Sequence, residues 1–407
     1  MKPERFAWLL VALLWVVGVL NYLDRQIIFS VFPLLAADLQ LTNIQLGLLS
    51  TVFLWVYGVL SPVAGYWADR FGRARVILIS LVVWSLVTYA TGHARNFTEL
   101  IWARALMGIS EACYIPAALA MIADYHGDRS RAFATGVHNS GIYLGIVLGG
   151  VGGGWMGQQF GWRFAFTVLG IAGVVYFVLL VGLLKGAPAA EPPPARSNLV
   201  HSMRELLRLQ GFLSLTVVFC GMSIANWIGY TWLPLYLYEK FNVSLAVAGF
   251  TGTFYIQMGS VAGIVIGGRL SDRWVAKTER GRLFTQALGL GMAAPFLFLS
   301  GYTSLFPLLI VALAAFGIGR GMYEANCMPV LCQIARSNLR STGYGIFNLA
   351  GCIVGGIMAA AAGALKNRFG LSAMFQFAAA CMFFAAVALL NLRLSHAAVP
   401  RTRPQED

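Results

Sequence analysis

Charge is scarce in this sequence. Of its 407 residues only 11% are Asp, Glu, Lys or Arg, while 58% are hydrophobic. A soluble domain carries roughly a quarter charged residues, so a soluble globular fold is excluded. Histidine occurs five times, scattered at His93, His126, His138, His201 and His396. The six cysteines (Cys113, Cys220, Cys327, Cys332, Cys352, Cys381) form no CxxC pair and join no histidine cluster. Neither a disulfide framework nor a metal site is therefore expected. All six lie in apolar runs, where a free cysteine behaves as a small hydrophobe. No His-Glu-x-x-His helix and no P-loop is present, which argues against an embedded metalloprotease or a fused ATPase. No cofactor is expected. The 29 basic residues outnumber the 16 acidic ones for a net charge of +13. The excess sits in short loops between apolar runs, which ties it to membrane topology and not to nucleic acid.

Long apolar runs fill the rest. Twelve candidate spans are read at about 6–32, 44–67, 76–93, 98–125, 130–158, 162–184, 211–239, 245–270, 283–301, 304–334, 340–366 and 371–393. A bilayer-crossing helix needs roughly 20 apolar residues. The continuity of the runs excludes a β-barrel, whose strands are short and alternate in polarity. The fold class is an all-α membrane protein. The first run is too long for a signal-peptide core, lacks a small-residue cleavage site and contains Asp24-Arg25, so it is kept as a helix of the mature chain. Most loop arginines and lysines fall on one side, among them Arg70, Arg73, Arg75, Arg129, Arg131, Arg269, Arg273 and Arg340. The other side receives Arg95, Arg163, Lys240, Lys366 and Arg368. The positive-inside rule then places both termini in the cytoplasm.

The few charges inside the runs stand out. Asn21-Tyr22-Leu23-Asp24-Arg25 lies near the end of the first. A charged group near the bilayer centre costs roughly 2.5–3.5 kcal/mol to insert, so Asp24 and Arg25 need partners or a water-filled cavity. Arg104 and Glu111 stand in the fourth run, on one helix face, about 10.5 Å apart along the axis. A third acid, Glu324, lies in the tenth run, with Arg320 one turn before it. Ionisable residues in a membrane point to function by default; the competing reading is a set of salt bridges that only hold helices together. Read functionally, Asp24, Glu111 and Glu324 are the proton-coupling candidates, with Glu111 favoured for linking proton and substrate. Arg25 and Arg104 are the carboxylate anchors, because the planar guanidinium fork pairs bidentately with carboxylate. Tyr22, Tyr57, Asn139, Asn226, Trp227, Tyr230, Asn326 and Asn348 are placed to add hydrogen bonds or an aromatic wall, and Glu324 to meet a substrate hydroxyl or amine. The mixture suits a small polyhydroxylated acid.

The chain divides in two. Residues 185–210 form a polar linker containing Ala-Pro-Ala-Ala-Glu-Pro-Pro-Pro, which cannot be regular helix. After it, 199–209 reads as a short surface helix with Arg204 and Arg208 on its polar face. The expected domains are 1–184 and 211–393, each of six helices, followed by a cytoplasmic tail at 394–407. The halves repeat. Gly65, Asp69, Arg70, Gly72 and Arg73 follow the second span, and Asp272 and Arg273 follow the eighth. Gly108, Glu111 and Pro116 recur as Gly321, Glu324 and Pro329; Arg131, Gly136 and Asn139 as Arg340, Gly345 and Asn348; Phe160-Gly161 as Phe369-Gly370. Parallel six-helix repeats with a site at their interface define one large class of secondary transporters. Glycines crowd the fifth and eleventh spans, where small residues let membrane helices approach closely.

Twelve spans, two repeats and the Gly-x-x-x-Asp-Arg-x-Gly-Arg loop at 65–73 resemble the major facilitator superfamily. Within it, Asn-Tyr-Leu-Asp-Arg at 21–25, Arg104 with Glu111, and Thr-Trp-Leu-Pro-Leu-Tyr-Leu at 231–237 resemble the anion–cation symporter family, which includes proton-coupled importers of sugar acids. The Spinster family of lysolipid and sphingolipid exporters shares the Asp-Arg of the first helix and the Arg and Glu of the fourth. Ile142 stands where some galactonate-type symporters carry a glutamine. The resemblance implies two pseudo-symmetric six-helix bundles, a conformational role for the loop, and proton-coupled symport of an organic anion by alternating access. It implies a monomer in the cytoplasmic (inner) membrane, whose partners are the substrate, protons and lipid. A Spinster-like lipid exporter is the alternative within the fold. A non-transporting sensor is the alternative of another class, and would be expected to carry an appended soluble domain.

Overall fold

The structure, a computed structural model, describes residues 3–184, 199–336 and 339–392. The linker stretch 185–198 and the tail 394–407 lie outside the described residues, as do the side-chain surroundings of Gly65 and Asp69. No strand occurs among the described residues. This is what lipid demands, since a helix satisfies its backbone groups internally.

In the amino half, α1 (Pro3–Ser30) and the short α2 (Phe32–Leu39) precede α3 (Asn43–Phe71) and α4 (Arg73–Thr91). Next come α5 (Phe97–Ala112), α6 (Tyr114–Tyr125), α7 (Asp128–Phe160) and α8 (Trp162–Leu184). Then α9 (Leu199–Arg208) leads to α10 (Phe212–Phe241), α11 (Leu245–Val275), α12 (Gly281–Tyr302), α13 (Phe306–Ile334) and α14 (Arg340–Asn391). Caps start several of them: Thr42 and Gln45 form a reciprocal capping box on α3, Asn96 accepts from the Glu99 amide, and Ser244 from that of Val247. Among the described residues, ten stretches are long and apolar enough to cross a membrane. Two further stretches are consistent with the expected twelve. The 52-residue α14 contains Gly370 at φ 74°, which divides it into two spans. The 33-residue α7 has the length, but glycine replaces aliphatic side chains along it.

The fourth span is broken. It stops at Ala112 and resumes at Tyr114, immediately after Glu111. Pro116 has no amide for the carbonyl of Ala112, one turn back. Its repeat, Pro329, sits inside an uninterrupted α13. The α9 helix forms as expected, with Leu206 buried and Arg204 and Arg208 exposed.

The repeats become equivalent backbone and side-chain roles. Gly161 and Gly370 both take positive φ (85° and 74°) where one span turns into the next, a conformation that glycine adopts without a Cβ penalty. Arg131 Nε donates to His126 O at 3.2 Å, and Arg340 Nε donates to Ala335 O at 3.2 Å. Each arginine thus caps the end of the preceding span.

Within the amino half α1 packs on α7 and α4 on α8; in the carboxyl half α11 packs on α13, and α12 on α13 and α14. The halves meet along two seams, α7 with α11 and α3 with α14. On the first, a Cβ added at Gly249 would lie 2.0 Å from Gly150 O, and one at Gly154 2.3 Å from Leu245 O. On the second, Asn43 Nδ2 donates to Asn367 Oδ1 at 2.9 Å, Thr51 Oγ1 to Gly356 O at 2.7 Å, and Trp55 Nε1 to Ile353 O at 3.1 Å. Both seams lie toward the end that carries Asn43, Leu245 and Asn367. Toward the other end, the repeated Gly136 and Gly345 face open space. The contacts between the halves named here thus lie toward one end of the interface.

Gly249→Val should spread that end. Overpacking of this kind costs about 1–3 kcal/mol, equivalent to roughly a 5- to 150-fold shift between two states. The readout is oxidative crosslinking of Asn43→Cys with Asn367→Cys in a background without other cysteines. The yield should collapse when Gly249→Val is added; an unchanged yield would show that this seam does not control closure.

Candidate functional site

The first charged cluster is built from α1, α3, α4 and α5. Arg25 Nε donates to Glu111 Oε2 and forms an ion pair with it, both side chains being buried. The Arg25 guanidinium lies over three rings, Tyr57 at 4.4 Å, Tyr22 at 4.6 Å and Phe53 at 5.2 Å. Cation–π attraction is strongest where, as here, water is largely excluded. Arg104 lies on the same Phe53 ring at 4.5 Å and donates through Nε to Leu49 O at 3.2 Å. Asp24 accepts from Thr88 Oγ1 at 3.1 Å and is within electrostatic reach of Glu111 and Arg104. Two acids and two arginines thus share one buried volume, as the sequence predicts.

That volume is polar beyond its own needs. Arg25 Nη2, Arg104 Nη2, Glu111 Oε1 and both amide atoms of Asn21 are buried without a hydrogen-bond partner. Such groups are costly unless something polar meets them. Asn21 and Arg25 are one turn apart, so their free atoms share a helix face.

The second cluster belongs to the carboxyl half. Arg320 Nε donates to Glu324 Oε1 at 2.8 Å, one turn along α13. The guanidinium lies over Tyr230 at 5.3 Å, whose hydroxyl accepts from Gln257 Nε2 at 3.3 Å. Tyr143 of α7 is in electrostatic reach of Glu324, Arg320 and Tyr230, and Tyr344 of α14 of Glu324, Tyr57 and Tyr143. Tyr22 is in reach of Tyr57 and Tyr230. Tyrosines of both halves thus lie within electrostatic reach of one ion pair or the other. Between the halves, Ser50 meets Thr231 at 2.9 Å and Gln26 Nε2 reaches Tyr230 O at 3.5 Å.

Other expected residues stand differently. Asn326 is buried and donates to Met322 O at 3.1 Å, back onto its own helix. Asn139 Oδ1 lies 3.3 Å from His138 Nδ1, its neighbour in sequence. Asn348 is half-buried. Asn226 is half-buried with an unpartnered Oδ1. Trp227 packs on Tyr230 at 5.7 Å and fills the space where Gly355 lacks a side chain, so it also seats α14. The structure adds residues that the sequence reading passed over: Tyr143, Tyr344, Gln257, Thr88, and Arg320 as more than the partner of Glu324. A tyrosine in an apolar run carries no periodic signal of its own, and these two enter from the glycine-rich spans.

The loop motif is partly described. Gly72 takes φ 88° at the turn between α3 and α4. Arg73 donates to Ala120 O at 2.9 Å and pairs with Asp124, tying that turn to the end of α6. In the repeat, Asp272 and Arg273 are exposed.

The sequence matches the family described as Major Facilitator Superfamily over residues 14–359, with a second match over 253–407. It is 27% identical to the "Probable galactarate/D-glucarate transporter GarP" of Escherichia coli K12, across 96% of this chain and 94% of that protein. It is 30% identical to the "Hexuronate transporter" of Bacillus subtilis 168, across 67% of this chain and 66% of the relative. Among solved structures it resembles a bacterial homolog of the human lysosomal transporter Spinster, in an inward-facing and unoccupied conformation. That match has a TM-score of 0.79 and 20% identity over 96% of this chain and 95% of the other.

Removing one partner of a buried ion pair costs about 3–5 kcal/mol, because the survivor is left uncompensated. Arg25→Met should therefore lower thermal stability in detergent strongly, and adding Glu111→Gln should recover at least half of the loss. A double variant no more stable than Arg25→Met alone would show that the pair is not the source of the effect.

Proposed function

Because the chain belongs to the major facilitator superfamily, we propose that it is a proton-coupled secondary transporter of a small organic anion, a sugar acid, working by alternating access. The observation that carries this reading is the buried Arg25–Glu111 pair, caged by aromatic rings and lined with unpartnered polar atoms, at the meeting of the two halves. Galactarate carries two carboxylates and hexuronates one, so the relatives' names support an acidic sugar without fixing its class.

The geometry supplies a mechanism. A substrate carboxylate entering from the open end takes the Arg25 fork that Glu111 now holds. Glu111, buried and deprived of its cation, is then neutralised by a proton. Proton and anion thus occupy the site together, and binding one favours the other. Asp24 is the second candidate carrier, buried beside Thr88 and Arg104. Tyr22, Tyr57, Tyr230 and Glu324 face the substrate's hydroxyls, and Asn226 and Trp227 extend that wall. Arg104, bonded to the α3 backbone, positions Phe53 under Arg25 and keeps the local charge balanced. Asn139, Asn326 and Asn348 are supporting residues in this state. The loop residues Gly65, Asp69, Arg70, Gly72 and Arg73, with Asp272 and Arg273, act in the conformational change. The open end is rich in basic loop residues, which supports placing it and both termini on the cytoplasmic side of the inner membrane.

In proteoliposomes, Asp24→Asn and Glu111→Gln should each lose proton-driven accumulation, by about 100-fold if the residue acts as the acid–base group. Counterflow should survive in one of them. Accumulation against a gradient by both variants would refute the coupling assignment. Stabilisation of the purified protein by a lysolipid, and by no sugar acid, would move the substrate class to lipids.

A further inference from the structure

The two ion pairs are not equivalent, and the difference bears on what the far end of the site accepts. Glu111 is fully buried and its arginine comes from another helix, so that pair ties α1 to α5. Its repeat, Glu324, is 28% exposed in its side chain and takes its arginine from its own helix. Exchanging the partners of Glu324 therefore breaks no contact between helices. Arg320 lies over the Tyr230 ring at 5.3 Å, and Tyr143 of the opposite half and Tyr344 of its own are within electrostatic reach of the pair. Tyr230 connects it to α1, its carbonyl accepting from Nε2 of Gln26, the neighbour of Arg25 in sequence, at 3.5 Å.

As it stands the Arg320–Glu324 pair has no net charge. One side donates hydrogen bonds and the other accepts them, which is the complement of a hydroxyl pair that both accepts and donates. A second carboxylate in the same place would meet the Glu324 carboxylate, and like charges at close range are strongly unfavourable in a site sheltered from water. We infer that Arg320 and Glu324 form a diol-selective subsite at the far end of the substrate, so that the site takes sugar acids with one carboxylate and a hydroxylated tail and turns away the diacids of the same length. This rests on the sugar-acid reading above and deepens it: Arg25 reads the carboxylate, and Glu324 fences the other end by charge.

The test is a binding comparison on the purified full-length protein in nanodiscs, with galactonate (one carboxylate, terminal diol) and galactarate (two carboxylates) as the probes. Wild type should bind galactonate at least about tenfold more tightly, a difference well within what one rejected charge supplies. Glu324→Gln removes the fence and leaves Arg320 uncompensated. It should shift the galactarate-to-galactonate affinity ratio at least about tenfold toward the diacid. A gain in galactarate affinity cannot arise from misfolding. Arg320→Gln combined with Glu324→Gln should abolish that gain, because the new cation is gone. An unchanged ratio in Glu324→Gln, or a gain that survives in the double variant, would overturn the inference. So would a wild type that binds galactarate as well as galactonate, with the transport reading left intact. A wild type that binds neither acid would overturn the sugar-acid reading and this inference with it.

Discussion

Arg25 and Glu111 are buried where neither lipid nor packed protein solvates a charge, and each persists there because of the other. Much of the surrounding architecture follows from keeping that pair in place. The Phe53 ring meets both the Arg25 and the Arg104 guanidinium, at 5.2 and 4.5 Å. Arg104 is in turn fastened to Leu49 O on the next helix. Thr88 holds Asp24 from α4. The span that carries Glu111 breaks immediately after it, at Cys113.

Both halves descend from one plan, yet they place it to different uses. Equivalent arginines cap equivalent helix ends, and equivalent glycines turn the chain between spans. The glutamates of the repeat diverge. One is locked across helices in the interior, and the other is half-buried with a partner on its own helix. The first arrangement couples charge to the packing of the bundle. The second leaves charge free to meet a ligand. Between them the α7–α11 seam is nearly bare backbone, with Gly249 against Gly150 O and Gly154 against Leu245 O. Surfaces without side chains slide and part at low cost, which is what reversible closure of one end requires.

Much of this was legible in the sequence because membranes punish ambiguity. Runs long enough to span, loops basic on one side, and charges too costly to be accidental fixed the class and marked Asp24, Arg25, Arg104 and Glu111 without any contact information. The repeated residues announced the two halves, and Arg320 was the natural partner for Glu324. Less legible was anything that depends on how the helices rotate against one another. Asn326 looked like a cavity residue and bonds its own helix. Tyr143, from the other half, and Tyr344 carry no mark in the sequence and are within electrostatic reach of Glu324. The apolar faces of these helices touch protein and lipid alike, so no hydrophobic periodicity records which side faces the site. The repeat of Phe160-Gly161 as Phe369-Gly370 marks equivalent turns, and both glycines take positive φ in the structure.

The central claim is that substrate and proton are linked through exchange at Arg25. Proton release or uptake on binding measures this directly. A pH-indicating dye in a weakly buffered solution of the purified protein should report uptake of about one proton per sugar acid bound, by linkage. In Glu111→Gln protein that still binds the acid, the uptake should vanish. Binding without proton uptake in the wild type, or an undiminished uptake in Glu111→Gln, would contradict the account.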